Sequence, residues 1–416
     1  MSVSPTLAIN QEIARRRAAG LPTVALGFGE ASIPVHPELV RRLGDHASRG
    51  DYGPVAGAPE LLDAAAGYWS RRGVVTRPEQ VVAGPGSKPL LYALFQALGG
   101  PVLLPRPSWV SYAAQNLLLH QEAPMVDTVA GQGGVPDPEL LEQEVSRLRS
   151  AGRPPSAVLL TLPDNPTGTT ASPDVVRRVC AVAAVHDLAV ICDEIYLDLV
   201  HGETEVLTPA QVLPERTITT TGLSKSLAIG GWRIGVARFP ERYATVRRQV
   251  TVAASEIWSA PAQPVQQAAA WAFTEPDELR ARVADSRALH GRIARVVAAI
   301  FREAGAEVPE PTAGFYLYPD FSGLRDRLAE VGVRTSPELA TALLDRHGVA
   351  TLPGTAFGDD PERLTLRVAT PMLYGQDDAE RERALASATP EGLPWIERSL
   401  AIVRTALGGL VGAAGV

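Results

Sequence analysis

The sequence predicts an α/β fold: a large domain with a mostly parallel sheet flanked by helices, and a smaller α+β domain formed by the N- and C-terminal segments. Three observations predict it. Between residues 80 and 240, short apolar runs of strand length alternate with stretches of helical spacing, as in a sheet covered on both faces. After Pro311 the pattern changes to strands grouped around a single helix, which implies a second body. The 416 residues suffice for two or three lobes. The expected divisions are 1–45 for an N-terminal segment joining the small domain, 46–290 for the large domain, and 291–416 for the small C-terminal domain.

Taken in order, residues 1–20 carry Leu7, Ile9 and Ile13 among polar residues and read as a short amphipathic helix. Residues 24–28 read as a strand running into Gly29-Glu30, followed by a helix with Pro37 in its first turn and a turn at 50–54. Residues 59–72 form a helix with Leu61, Leu62, Ala65 and Tyr68 at helical spacing. Strands follow at 81–83, 102–104, 157–162 and 188–192, with helices at 88–98 and 109–120 between them. A further helix starts cleanly, with Ser172 as N-cap, Pro173 at the first position and Asp174 in the first turn. Residues 240–273 and 278–304 read as long helical stretches, and 314–318 and 364–369 as strands around a helix at 337–347. The Gly131–Gly134 loop reads as a surface turn, and the apolar run 406–416 as a helix end that frays. No internal repeat or low-complexity linker is visible.

Composition narrows the function classes. With 39 basic and 46 acidic residues, the net charge of −7 argues against a nucleic-acid surface, which needs concentrated Lys and Arg. The arginine pairs and triplet at 15–17, 41–42 and 71–72 fall in helical segments and read as solvated faces. The two cysteines, Cys180 and Cys192, have neither zinc spacing nor a secreted disulfide pattern, so no metal site is expected. No apolar run approaches the roughly 20 residues of a membrane span, and the N-terminus lacks the order of a signal peptide. A cytoplasmic protein is expected.

The chemistry centres on residues 217–235. A β-branched run ends at Gly222, presents Lys225 between Ser224 and Ser226, and returns through Gly230-Gly231 to Arg233. A lysine in an apolar setting has a depressed pKa and attacks carbonyls to form a Schiff base. Ser224 and Ser226 can donate to an anion, and Arg233 suits bidentate phosphate contact. A lysine for an aldehyde and an arginine for a phosphate, on one loop, suggest pyridoxal phosphate; the bland reading is a solvated loop and an edge strand. Gly84-Pro85-Gly86-Ser87 is a strand-to-helix turn that offers backbone N–H groups to an anion. Asp193 ends an apolar strand, where it serves as a cap or ion-pair partner, or holds a pyridine nitrogen protonated and preserves an electron sink. Tyr196 and Asn165 can reach the adjacent phenolic oxygen. Ligands of parallel sheets sit beyond the carboxyl ends of the strands, where Gly86, Asn165, Asp193 and Lys225 all fall.

Asn165-Pro166-Thr167-Gly168, then Asp193-Glu194-Ile195-Tyr196, then Ser224-Lys225 with Gly231-Trp232-Arg233-Ile234-Gly235, resembles the signature order of class I/II aminotransferases, fold-type I pyridoxal-phosphate enzymes related to aspartate aminotransferase. The resemblance covers nearly the whole chain. It implies catalytic roles for Lys225, as Schiff base and proton shuttle, and for Asp193 and Tyr196. It implies that Gly86, Ser87, Lys88, Ser224 and Arg233 hold the cofactor phosphate, that Trp109 stacks on its ring, and that Asn165 and Tyr196 tune its phenolate. Tyr52, in Tyr52-Gly53-Pro54, resembles the tyrosine that crosses a homodimer interface to the neighbouring phosphate. Gly29 and Arg367 match the family's substrate-carboxylate positions, with Trp109 and Asn165 beside them. Lys88 opens a helix like that of bacterial aspartate or prephenate aminotransferases whose lysine meets the distal carboxylate; the alternative is a lysine pointing to solvent. The implied reaction moves an amino group between an L-amino acid, acidic in the favoured case, and a 2-oxo acid. The alternative on this scaffold is a lyase or cyclase. A transcription regulator would need a DNA-binding segment ahead of the strand at Val24, for which no room is expected. The chain departs from the family at Gly222, where many relatives have a serine, at Ala31-Ser32-Ile33, and after Arg367.

Overall fold

The structure, a computed structural model, describes residues 4–412. Its strands are β1 (Val24–Ala25), β2 (Val81–Gly84), β3 (Val102–Arg106), β4 (Met125–Asp127), β5 (Ala157–Thr161), β6 (Ala189–Asp193), β7 (Thr217–Gly222), β8 (Gly235–Arg238), β9 (Tyr316–Leu317), β10 (Val349–Ala350), β11 (Leu352–Pro353) and β12 (Leu366–Ala369). Seven of them form one sheet in the order β2-β8-β7-β6-β5-β3-β4. Only β8 runs antiparallel to its neighbours, so the sheet is mostly parallel, as the sequence predicts.

The central strands β5 and β6 are apolar up to their last residues, Thr161 and Asp193, because both faces are packed. Val158, Leu160, Val190 and Cys192 point to one side, against Val176, Val179 and Cys180 of the helix Pro173–Val185. Leu159, Ile191 and Ile218 point to the other, against Leu90, Leu94 and Phe95 of the helix Ser87–Leu98. Truncating a side chain such as Ile191 to alanine costs about 2–5 kcal/mol in a core packed this way. Register then aligns the carboxyl ends: Thr161 pairs with Asp193, and Asp193 with Thr220. Beside this polar row lies a row of glycines, Gly84, Gly235 and Gly222. A Cβ on Gly235 would stand 2.5 Å from the Ser87 amide nitrogen, so the bare backbone lets the Gly86–Ser87 turn lie on the sheet.

The second body holds the antiparallel sheet β11-β12-β9 and the parallel pair β1-β10. Its core packs Ile293, Val297 and Phe301 of the helix Asp277–Glu303 on Leu343, Leu366, Val368 and Val403. Through β1 the N-terminal segment joins this body. The helix Pro5–Ala18 lays Ile9 and Ile13 against Ala25 and Ala350.

Several expectations are corrected. Residues 406–411 do not fray: Ala406, Leu407, Leu410 and Val411 end the helix Pro394–Val411 and are buried in the small-body core. Residues 1–3 and 413–416, the ends of the two terminal readings, lie outside the described residues. The stretch 240–273 is two helices, Ala244–Ile257 and Gln263–Phe273, because Pro261 lacks an N–H and Ser259 takes a positive φ of 61°. The strand read at 314–318 is only the two residues of β9. Gly133 and Gly134 are buried, not on the surface. Arg72 is no solvated charge: it lies 3.6 Å from the Tyr68 ring centroid and pairs with Asp198 and Glu275. The sequence reading lacked β4 and the helix Pro138–Ser150, although Asp137 caps that helix by accepting from the Glu139 and Leu140 amides.

Candidate active site

A cavity of about 540 Å³ opens at the carboxyl ends of the large sheet, closed on one side by the small body. Gly29, Gly86, Ser87, Lys88, Trp109, Asn165, Asp193, Tyr196, Ser224, Lys225, Arg233 and Arg367 all line it. Residues far apart in the chain meet there because each follows a strand of one sheet or belongs to the small body's edge.

Lys225 follows β7 and donates from Nζ to the Gly29 carbonyl at 2.7 Å. Burial lowers its pKa to about 8, opposed by Glu30 and reinforced by Arg367, Arg233 and Lys88. A substantial neutral fraction near pH 8 makes the amine a nucleophile.

Asp193 ends β6 and is buried. Its Oδ2 accepts from Tyr112 Oη at 2.9 Å, and its Oδ1 from Thr220 Oγ1 at 3.2 Å. Burial raises its pKa to about 6, against the hydrogen bonds of Tyr112, Thr220 and the Ile195 amide. Three donors thus fix a carboxylate at the floor of the cavity.

At the other end, the N-terminus of the helix Ser87–Leu98 faces the cavity with Ser87, Ser224 and Arg233. Arg233 itself has a left-handed φ of 59°, and donates from Nη1 to the Gly230 carbonyl at 2.8 Å and from Nη2 to the Pro85 carbonyl at 3.1 Å. Gly86 takes a φ of 94°, and a Cβ there would collide with Arg233 Nη2. The glycine is what lets the arginine lie across the turn. Lys88 stands exposed at the mouth, its Nζ 5.0 Å from the Trp109 ring centroid. Desolvation and Arg233 lower its pKa.

Arg367, on β12, is buried between Tyr316 and Phe357, whose ring centroids lie 5.0 and 5.2 Å from its Cζ. Its Nη2 donates to the Gly27 carbonyl and its Nη1 to Asn165 Oδ1 at 3.5 Å, while Nε has no partner. A buried guanidinium with an orphaned N–H, and no carboxylate in ion-pair range among the described residues, is matched to an incoming anion.

Two sequence-predicted residues stand elsewhere. Ser226 is turned away and lines, with Leu223 and Leu227, a separate cavity of about 380 Å³. Tyr52 is 81% exposed and does not line its own chain's cavity; its carbonyl accepts from Gln263 Nε2 at 3.3 Å. The sequence reading missed Tyr316, whose Oη bonds Tyr196 Oη at 2.9 Å. It also missed Tyr112, one helical turn after Trp109, and Thr6 and Leu7 of the N-terminal helix. The spacing of Tyr112 from Trp109 was a usable signal; nothing local marks Tyr316 or Thr6.

The donor set fits pyridoxal 5′-phosphate: an amine for its aldehyde, an anchored carboxylate, and an arginine, hydroxyls and a helix N-terminus for its phosphate. This arrangement on an α/β fold with a second small body defines an enzyme that works through a lysine Schiff base. The family model for aminotransferase class I and II matches residues 25–385. Aspartate/prephenate aminotransferase of Thermus thermophilus is 32% identical over 364 residues, covering 86% of this chain and 89% of the relative. Aspartate aminotransferase of Geobacillus stearothermophilus is 30% identical, covering 92% and 95%. A solved aspartate aminotransferase from Thermus thermophilus with maleate superposes with a TM-score of 0.81 at 29% identity, covering 92% of this chain and 96% of that one. The chain belongs to the class I and II aminotransferase family and is a pyridoxal-phosphate-dependent enzyme that transfers amino groups.

Proposed function

We propose that this aminotransferase moves the amino group of an L-amino acid with an acidic side chain to a 2-oxo acid, as a homodimer. The carrying observation is the charge balance of the cavity, where Lys88, Lys225, Arg233 and Arg367 face only Glu30 and Asp193. Bound pyridoxal phosphate supplies an electron sink for the substrate α-carbon and a phosphate of about −2 charge. Arg233, Ser87, Ser224 and the Gly86–Lys88 amides hold that phosphate, Asp193 keeps the ring nitrogen protonated, Asn165 and Tyr196 hold the phenolic oxygen, and Trp109 covers the ring. Lys225 anchors the cofactor between turnovers, and its Nζ carries the α-proton of the substrate. Arg367 holds the α-carboxylate, with Gly29 and Asn165 beside it, and so orients the Cα–H bond toward Lys225. Lys88 is then the cation left for a second carboxylate. The aspartate-acting relatives and the maleate bound by the Thermus enzyme support this choice.

Dimerisation is supported by the exposed Tyr52 and its surroundings. Val55 and Ala56, just after it, share a surface hollow with Thr251 and the 63%-exposed Val252 of the helix Ala244–Ile257. A second copy seated there covers this apolar surface and brings Tyr52 to the partner's phosphate. The divisions 46–290 and 291–416 are assigned to the large and small bodies of each subunit, and 1–45 to the small one, except that Leu39 of the helix Pro37–Asp45 packs in the large-body core and the helix Asp277–Glu303 crosses the 290/291 boundary.

Lys88→Ala tests the substrate class. The expected result is a kcat/KM for L-aspartate lower by about 10–100-fold, the worth of one charged hydrogen bond of about 1.5–3 kcal/mol, with L-alanine little affected. Equal loss for both amino acids rules out the acidic side-chain contact. Sedimentation at twice the mass of the chain is expected; a monomer that turns over refutes the role given to Tyr52.

A further inference from the structure

Of the two serines that flank Lys225, only Ser224 lines the active-site cavity. Ser226 is 2% exposed and lines the second cavity, of about 380 Å³, where its Oγ has no hydrogen-bond partner. Leu223 and Leu227 of the catalytic loop also wall this cavity, with Leu197, which follows Tyr196. Leu279 and Val283 close it from the first turns of the helix Asp277–Glu303. The same helix carries Ile293 and Val297 into the small-body core. The cavity therefore sits where the catalytic loop meets the helix that joins the two bodies.

Its polar groups divide into those already paired and those that are not. Asp198 Oδ1 accepts from Tyr68 Oη at 3.1 Å and from Arg72 Nη2 at 2.8 Å. Glu275 Oε2 accepts from Arg71 Nε at 2.7 Å and from Arg72 Nη1 at 3.0 Å. Arg280 bonds the Glu275 carbonyl and Asp277. Arg287, half-buried on the cavity wall, has neither an ion pair nor a hydrogen bond among the described residues. The carboxylates are thus engaged, while a cation and a hydroxyl are free. A buried hydroxyl without a partner is costly, and a bound acceptor removes that cost. An alanine at 226 would carry no unpaired group, so packing alone gives a poor account of the serine.

We propose that this cavity is a second binding site, for a small aryl carboxylic acid. Its carboxylate supplies the acceptors that Arg287 and Ser226 lack. Its ring packs on Leu223, Leu227 and Val283, beside Tyr68 and Phe273, whose own rings stand edge to face with centroids 5.6 Å apart. Apolar walls with a few uncommitted polar groups, in a space at the lower end of about 300–1,000 Å³, are the make-up of a small-molecule site. A ligand with two charges would leave one against the leucines, which selects a single carboxylate.

The test is calorimetric titration of 3-phenylpropionate into the cofactor-loaded enzyme, with saturating maleate present to keep the probe from the Arg367 seat. One probe per chain is expected, with a Kd of about 1 mM or lower. Arg287→Gln is expected to weaken probe binding by about tenfold or more, the worth of a charge-assisted bond. Val283→Trp, whose ring fills the cavity, is expected to abolish it. Both variants should bind maleate as the wild type does, which reports an intact fold and active site. Should the tryptophan not be accommodated, Arg287→Gln carries the test alone, since its side chain is only half-buried. Probe binding that maleate abolishes, wild-type probe affinity in either folded variant, or no binding to the wild type overturns the second site.

Discussion

Replacing Arg367 by methionine separates what the residue does for the substrate from what it does for the fold. Its guanidinium lies at 1% exposure with one backbone carbonyl, a 3.5 Å contact to Asn165 and an orphaned Nε. Among the described residues no carboxylate pairs with it, and burial lowers its pKa accordingly. A methionine of similar reach keeps the contacts with Tyr316 and Phe357 and removes the buried charge, so the unliganded variant is expected to be no less stable than the wild type. Toward the α-carboxylate the balance reverses. Two charge-assisted bonds at about 1.5–3 kcal/mol each make a bidentate seat worth about 3–6 kcal/mol, a loss of roughly 10²–10⁴ in kcat/KM. Thermal unfolding with and without maleate, alongside steady-state kinetics, reads both quantities. Maleate at 100 times its Kd stabilises the wild type by about 2.7 kcal/mol, and the variant should show no such shift. A variant that keeps wild-type kcat/KM, or that unfolds well below the wild type without ligand, refutes the reasoning.

Other expectations follow from buried groups. The Glu194 carboxyl, which accepts from Trp69 Nε1 at 3.3 Å, is pushed up by burial to about 8 from an ordinary 4.5. The fold therefore prefers its protonated form, and its contribution to stability is intact below pH 4.5 and lost as pH rises toward 8. Glu194→Gln should match the wild type in Tm at pH 4.5 and exceed it increasingly up to pH 8; a constant difference contradicts the assignment. Gly86→Ala should weaken cofactor retention by at least tenfold in equilibrium dialysis, because the added Cβ displaces Arg233 and the φ of 94° is strained for alanine. Unchanged retention would mean that Arg233 does not hold the phosphate. Ser172→Ala should cost about 1 kcal/mol, since Ser172 Oγ accepts from the Val175 amide of the helix it caps.

The large sheet was legible because both of its faces are buried, which writes 157–160, between Ser156 and Thr161, and 188–192, between Asp187 and Asp193, as unbroken apolar runs. The cavity residues that follow those strands were legible for the same reason, and so was the phosphate turn, where glycines admit close backbone approach. The two-residue pairings of β10 and β11 were not: they owe their partners to tertiary contacts, and no period of two develops in two residues. Tyr316 entered the site through the pairing of β9 with β12, a contact between positions roughly fifty residues apart. The C-terminal helix was underread because its buried positions begin at Ile396, well before the apolar run that drew notice. Arg72 shows the limit of charge patterning, since a pair of arginines gives no hint that one stacks on an aromatic ring and meets two carboxylates.

The central claim is that Lys225 serves an amino-group transfer. Cofactor-loaded protein mixed with L-aspartate and no oxo acid should yield one equivalent of the corresponding 2-oxo acid per chain, with no ammonia released and the amino group retained on the cofactor. Lys225→Ala, folded by circular dichroism, should yield none on the same time scale. Release of ammonia, or product formed by Lys225→Ala at the wild-type rate, would contradict the account and move the chemistry to elimination or to another residue.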